Sequence, residues 1–202
     1  MTPDDIRLSI IIATMGRPSL LTALGSVYRE AREGDECLAV LDTPAHGGWG
    51  YVAHNRGLDA ATGTHLIFIG DDDDFLEGAF GVVRAAVAAA PDRVHLFRVA
   101  RSPGHFMPTA ELSGREFTRD LIPQGGIVVP RIGGWPLPRW EARHDADRKY
   151  AAQACENSRM EPVWHREVIG RWRVANWPGW EPVTLQPEYT KTQQNSLAGI
   201  AS

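Results

Sequence analysis

Four aspartates stand in a row at residues 71–74, directly behind the apolar run Leu66, Ile67, Phe68 and Ile69. Like charges this close repel one another. A chain that places them at the end of a buried strand needs something to balance them. Hard divalent cations can do so. Mg²⁺ and Mn²⁺ take one or two protein carboxylates and leave the other positions to phosphate oxygens and water. A cation held there would draw in a diphosphate. The alternative is a solvated acidic turn before the helix that begins near Glu77, where negative charge is favourable. Asp42 ends a second apolar run, residues 37–41 (CLAVL), in the same way. Two acidic strand ends favour the cation.

The elements that position these groups are readable over the first hundred residues. Residues 8–13 (LSIIIA) form a continuous apolar run, as expected of a strand covered on both faces. Pro18 opens a helix over 19–32, with Leu20, Leu21, Leu24, Val27 and Tyr28 at helical spacing and Gly34 closing it. Strands are expected at 37–41, 65–69 and 94–100, and helices at 51–61 and 77–90. A glycine-rich loop, His46 to Tyr51 (HGGWGY), follows Asp42. Alternating strands and helices argue for an α/β, mostly parallel sheet with helices on both faces, and such sheets bind ligands beyond the carboxyl ends of their strands. From about Arg101 the chain becomes rich in proline, glycine and tryptophan. Only a strand over 125–130 and a helix over 145–157 stand out there. The expected organisation is one domain over 1–190, with a first half at 6–100 and a second at 101–190, and a flexible tail at 191–202.

The 202 residues suffice for one good core. A net charge of -4 gives no general electrostatic reason to bind nucleic acid or an anionic membrane. Two cysteines make neither a disulfide framework nor a structural zinc site. The N-terminal apolar run is too short for a signal peptide or a spanning helix, so a cytoplasmic protein is expected. Neither the P-loop nor the dinucleotide-binding glycine pattern occurs.

Four stretches, in order, resemble the family 2 glycosyltransferases, which have the GT-A fold and move a sugar from a nucleotide diphosphate. They are LSIIIATMGRPSLLTALGSV at 8–27, VLDTP at 40–44, AHNRGLDAATGTHLIFIGDDDDFLEGAF at 53–80, and RHDADRKYAAQA at 143–154. The resemblance is good over 6–90, thin over 91–140, and weak again over 144–170.

The resemblance implies a role for each matched position. Asp73 would bind the metal, Mn²⁺ or Mg²⁺, and Asp71 the ribose and the metal's water shell. Asp72 would stand on the donor side or turn away, the register within four identical residues being ambiguous, and Asp74 would shape the turn. Asp42 would accept a hydrogen bond from a nucleobase N–H such as uracil offers, favouring a UDP-sugar. Ala13, Thr14 and Arg17 would line the base and diphosphate. Asn55 matches the family's Asn-x-Gly, while His54 replaces the arginine that precedes it and Arg56 stands one position after. Asp145 would be the general base of an inverting transfer, with Asp147 as its fallback and an N-cap as the structural alternative. His165 would return to the metal, and Trp49 and Trp135 would stack on sugar. The acceptor and a second copy of the chain as partner stay open. Competing readings are a non-catalytic nucleotide-sugar binder on the same fold and, more remotely, a nucleotidyltransferase.

Overall fold

The structure is a computed structural model that describes residues 1–42, 50–102, 104–108, 122–131 and 134–172. Trp49, most of the glycine-rich loop and the 191–202 tail lie outside these residues.

The first half follows the expected alternation. Its elements are β1 (Leu8–Thr14), α1 (Leu20–Glu30), β2 (Glu36–Leu41), α2 (Tyr51–Ala60), β3 (His65–Gly70), β4 (Asp73–Phe75), α3 (Ala79–Ala89) and β5 (His95–Ser102). The second half adds β6 (His105–Met107), β7 (Ile127–Pro130), α4 (Ala146–Ser158) and β8 (Val163–Trp172). The strands form one sheet in the order β2-β1-β3-β7-β5-β8-β4, with β6 on β5. β1, β2 and β3 are parallel neighbours, as are β5 and β8, while β7, β6 and β4 pair antiparallel. Because β7 is antiparallel to both β3 and β5, five of the eight strands described run the same way. The sheet is mixed α/β and mostly parallel.

Alternation along the central strands divides the core. Leu8, Ile10, Ile12, Ile67 and Ile69 face α1 and α3 through Ala23, Val27, Phe80, Val83 and Val87. Ile11, Leu66 and Phe68 face α2 and α4 through Leu58, Tyr150, Ala151 and Ala154. Each fully buried Leu or Ile contributes about 1.5–3 kcal/mol, so β1 and β3 anchor everything that follows. The α2 packing is close: a Cβ on Gly57 would lie 2.4 Å from Ile11 Cγ2.

Two elements depart from the sequence expectation. The aspartate run is no open turn, because Asp73 and Asp74 begin β4, which pairs with the end of β8 through Asp73↔Trp172 and Asp74↔Arg171. β8 itself carries His165, Arg166 and Glu167 in its first half and buries only Val168, Ile169 and Gly170 fully. That broken apolar pattern hid it. The parallel strands β1, β3, β5 and β8 deliver their carboxyl ends to one rim of the sheet.

Candidate active site

Asp71 is the first aspartate past β3 and is wholly buried. β1 and β3 pair Ala13 with Gly70, which sets Thr14 beside Asp71. Its carboxylate accepts from the Thr14 hydroxyl at 2.7 Å, the Met15 N–H at 3.1 Å and Arg17 Nε at 2.9 Å, and pairs with Arg17 Nη2 as well. Gly16, at φ +78, makes the turn that brings Arg17 back. Burial pushes the Asp71 carboxyl up, but Arg17, Thr14 and Met15 outweigh it and hold it below the usual range. Asp71 thus stitches two strand ends together. Its oxygens are spent on the protein, and the ribose contact expected of it is not presented.

Asp74 is likewise committed. Arg171 grips it with Nε at 2.8 Å and also with Nη2. The outer members of the quartet are therefore gripped by arginines, and Asp72, Asp73 and Asp74 all border the larger cavity. Asp72 keeps 22% of its side chain exposed, is bonded by Arg17 Nη1 at 3.0 Å, and is pushed up chiefly by burial and also by Asp71, against Arg17. Asp73 accepts the Gly70 N–H at 3.2 Å. Both carboxylates lean over the bare Cα of Gly70: a Cβ there would lie 2.9 Å from Asp72 Oδ1 and 3.1 Å from Asp73 Oδ2.

Two adjoining cavities open at this rim, and Asp72 and Gln124 border both. The smaller, about 150 Å³, brings together Ala13, Thr14, Arg17, Asp42 and Asp72, five of the seven residues expected to touch a donor. Asp42 accepts the Gly50 N–H at 3.0 Å. His54, from α2, is a further wall; burial lowers its pKa to about 4, offset only in part by a weak contact with the Ile69 backbone and by Asp42. Asn55 is elsewhere. Its amide makes a pair of 2.9 Å bonds to the backbone N–H and C=O of Trp140. It pins the loop before α4 and is not turned toward a ligand.

The larger cavity, about 670 Å³, has Asp72, Asp73 and Phe75 on one side and residues 143–148 with Gln124 on another. Asp145, the expected base, is caught between Arg143 and Arg148. Those two arginines hold its carboxyl far below the usual carboxylate range, and it makes no side-chain cap to α4. A carboxylate held so low is a weak base. Asp147, the second residue of the helix, accepts the Gln124 N–H at 3.2 Å and contacts its own backbone N–H. Although partly open by area, it is densely surrounded by protein, and that burial pushes it up to about 6. Of the two carboxylates, Asp147 is the one whose surroundings favour taking up a proton. Arg143, Arg148 and Arg171 were not singled out from the sequence. The first two flank the HDAD motif and could have been; nothing local marks Arg171.

His165 is corrected. It lies at the start of β8, five residues or about 15 Å before Gly170, Arg171 and Trp172, which line the cavity. Its ring stacks on Phe97 at 4.2 Å and its Nε2 is 2.9 Å from His95 Nδ1. The Ala90 carbonyl can only accept, so His95 Nε2 carries its proton, and neutral His95 then receives the His165 N–H at Nδ1. His165 supports the sheet. Trp135 packs beside the core that holds Trp140 and does not border either cavity. Arg56 borders neither cavity.

Among the described residues no group of three or more His, Cys, Asp or Glu side chains is arranged as a metal cage. The inner pair Asp72 and Asp73 nonetheless fits a hard cation that takes one or two carboxylates and completes its shell with phosphate and water. None of the described helices is long and apolar enough to cross a membrane.

No family profile and no curated protein matches the chain. Solved structures do. TarS of S. aureus superposes with a TM-score of 0.62 at 13% identity, covering 96% of this chain and 39% of that one. Residues 1–349 of TarS in complex with UDP-GlcNAc give 0.60 at 13% identity, covering 96% and 66%. A197 from STIV gives 0.50 at 12% identity, covering 80% and 82%. The chain thus spans about two fifths of the longer TarS structure. At these identities the likeness establishes a GT-A-like glycosyltransferase fold, and not membership of family 2.

Proposed function

We propose that the chain transfers a glycosyl group from a nucleoside-diphosphate sugar, of which a UDP-sugar is favoured, to an acceptor hydroxyl. One observation carries the reading. A base-sized cavity ending at Asp42 adjoins a larger one across Asp72, and the larger one has Asp72, Asp73 and Asp74 on one wall and Asp147 on another. Nucleotide, diphosphate and sugar would follow one another along that path. The crystallised complexes of TarS with UDP-GlcNAc and with UDP support the same reading on this fold.

In this scheme Asp42 and the Thr14 to Arg17 turn hold the nucleotide. Asp73, with Asp72, would hold Mg²⁺ or Mn²⁺, which when bound stabilises negative charge on the diphosphate. Asp147 accepts the proton of the acceptor hydroxyl as that oxygen attacks the anomeric carbon, and the bond from that carbon to the diphosphate oxygen breaks. A base with a pKa near 6 is unprotonated at neutral pH yet still able to take a proton. A single displacement of this kind inverts the anomeric centre. Asp145, held by its two arginines, positions the start of α4 and so positions Asp147.

The arrest of Asp145 is what a non-catalytic binder would also show, so turnover is the deciding test. Nucleoside diphosphate should be released from a UDP-sugar with Mn²⁺ present, and release should be lost in Asp147→Asn while donor binding persists. Binding without release across a panel of acceptors would favour the binder.

A further inference from the structure

One side chain of the small cavity has ring nitrogens that make no well-formed hydrogen bond, with a weak contact to the Ile69 backbone. His54 is 1% exposed, and neither ring nitrogen has a hydrogen-bond partner of good geometry. Buried polar groups are nearly always paired, and an orphan of this kind costs stability. The ring plane is set by Trp140 at 4.6 Å and by the edge of Phe68 at 5.5 Å. On another side stands Gly50, whose missing Cβ would lie 3.5 Å from Cε1 and 3.7 Å from Nδ1. The ring borders the cavity that Asp42 also lines.

We propose that His54 reads the nucleobase: its ring N–H donates to a base carbonyl while Asp42 accepts from the N–H beside that carbonyl. Together they match a C=O adjacent to an N–H, the edge that uracil presents. Cytosine in the same placement would set a bare ring-nitrogen lone pair against the Asp42 carboxylate. Guanine carries a comparable edge on a fused ring, and the cavity of about 150 Å³ favours a single ring. The imidazole, neutral above pH 5, acts through its hydrogen bond rather than through charge. An arginine at this position would instead bring a permanent cation to the cavity.

The inference rests on the nucleotide-sugar reading, and its test separates the two. The full chain is titrated calorimetrically with UDP, CDP and GDP in the presence of Mg²⁺, and the titrations are repeated on His54→Phe and His54→Gln. Wild type should bind UDP at least tenfold more tightly than CDP or GDP. His54→Phe should weaken UDP about tenfold, as for one lost net hydrogen bond, with its Tm unchanged or raised by about 2–4 °C, because an apolar ring replaces an unpaired polar one. His54→Gln, which keeps an N–H, should recover part of the affinity. Equal UDP affinity in His54→Phe, or no preference for UDP in wild type, overturns the role of His54 and leaves the glycosyl-transfer reading standing. UDP binding lost only in step with folded protein also overturns it. If no nucleoside diphosphate binds wild type, both fall.

Discussion

Arg17 reaches back from the turn after β1 to Asp71 at the end of β3, with its Nε 2.9 Å from the carboxylate. The contact joins residues 54 apart in sequence across two neighbouring strand ends, and it decides how the other aspartates are used. Arg17 ties Asp71 and also reaches Asp72, Arg171 ties Asp74, and Asp72, Asp73 and Asp74 border the larger cavity. The repulsion among four carboxylates is relieved twice by protein cations.

Asp71→Asn should therefore act on stability first. A broken buried pair costs several kcal/mol, but Arg17 is 44% exposed, so about 1–3 kcal/mol is expected after allowing for solvent screening. The Asp71 carboxyl is held below its ordinary value. Its contribution is present above about pH 4 and fades as pH falls through the folded-state value. Thermal scans from pH 7 to pH 2.5 should show wild type and variant converging in acid. Equal Tm values at pH 7 would contradict the clamp.

Gly70→Ala separates fold from binding. The added Cβ would meet Asp72 Oδ1, Asp73 Oδ2 and Gln124 Nε2 at 2.9, 3.1 and 3.3 Å. All three are side-chain ends that can swing away, so the protein should fold with a Tm within about 3 °C of wild type. The two carboxylates would be pushed apart, and metal-dependent UDP affinity, measured by calorimetry, should fall about tenfold or more. Unchanged affinity would mean that the pair over Gly70 does not hold the cation.

Asp147→Asn should stabilise the protein in a pH-dependent way. Burial raises this carboxyl to about 6. A group raised in the folded state contributes nothing unfavourable below its unfolded value near 4, and costs stability as pH rises through 6. A shift near two units corresponds to on the order of 2–3 kcal/mol at pH 8. Denaturation curves of the variant and wild type should coincide near pH 3.5 and diverge in favour of the variant by pH 8. A variant less stable at pH 8 would show that Asp147 is a structural acceptor for Gln124.

His165→Leu tests the corrected position of that residue. It removes the N–H that His95 Nδ1 receives and leaves a buried acceptor unpaired, which should cost about 1–3 kcal/mol. Metal-dependent UDP affinity should stay within twofold. A large loss of metal dependence with stability intact would return His165 to the site.

The first half of the molecule was legible because its central strands are buried on both faces. The continuous run at 8–13 and the alternating helices left little choice of architecture. Ala13, Thr14, Arg17 and Asp42, expected to bind a donor, share one cavity because each lies at or just past the carboxyl end of a parallel strand. What was hidden depends on partners distant in sequence. Asn55 is spent on the backbone of Trp140, 85 residues away. Asp71 and Asp74 are spent on Arg17 and Arg171. β8 broke its apolar pattern with His165, Arg166 and Glu167, so its register, and the end at which His165 falls, could not be read. The choice between Asp145 and Asp147 turned on two positions at a helix start and on the two arginines that hold Asp145.

The central claim is tested most directly by nucleotide release. UDP-GlcNAc is incubated with the full chain and Mn²⁺, with water and a panel of hydroxyl acceptors, and UDP is quantified from pH 5 to pH 8 alongside calorimetric donor binding. The account predicts release that rises through about pH 6, as Asp147 loses its proton, and that drops at least 100-fold in Asp147→Asn with donor affinity within twofold. Release by Asp147→Asn at the wild-type rate, or a wild-type chain that binds no UDP-sugar, would contradict it.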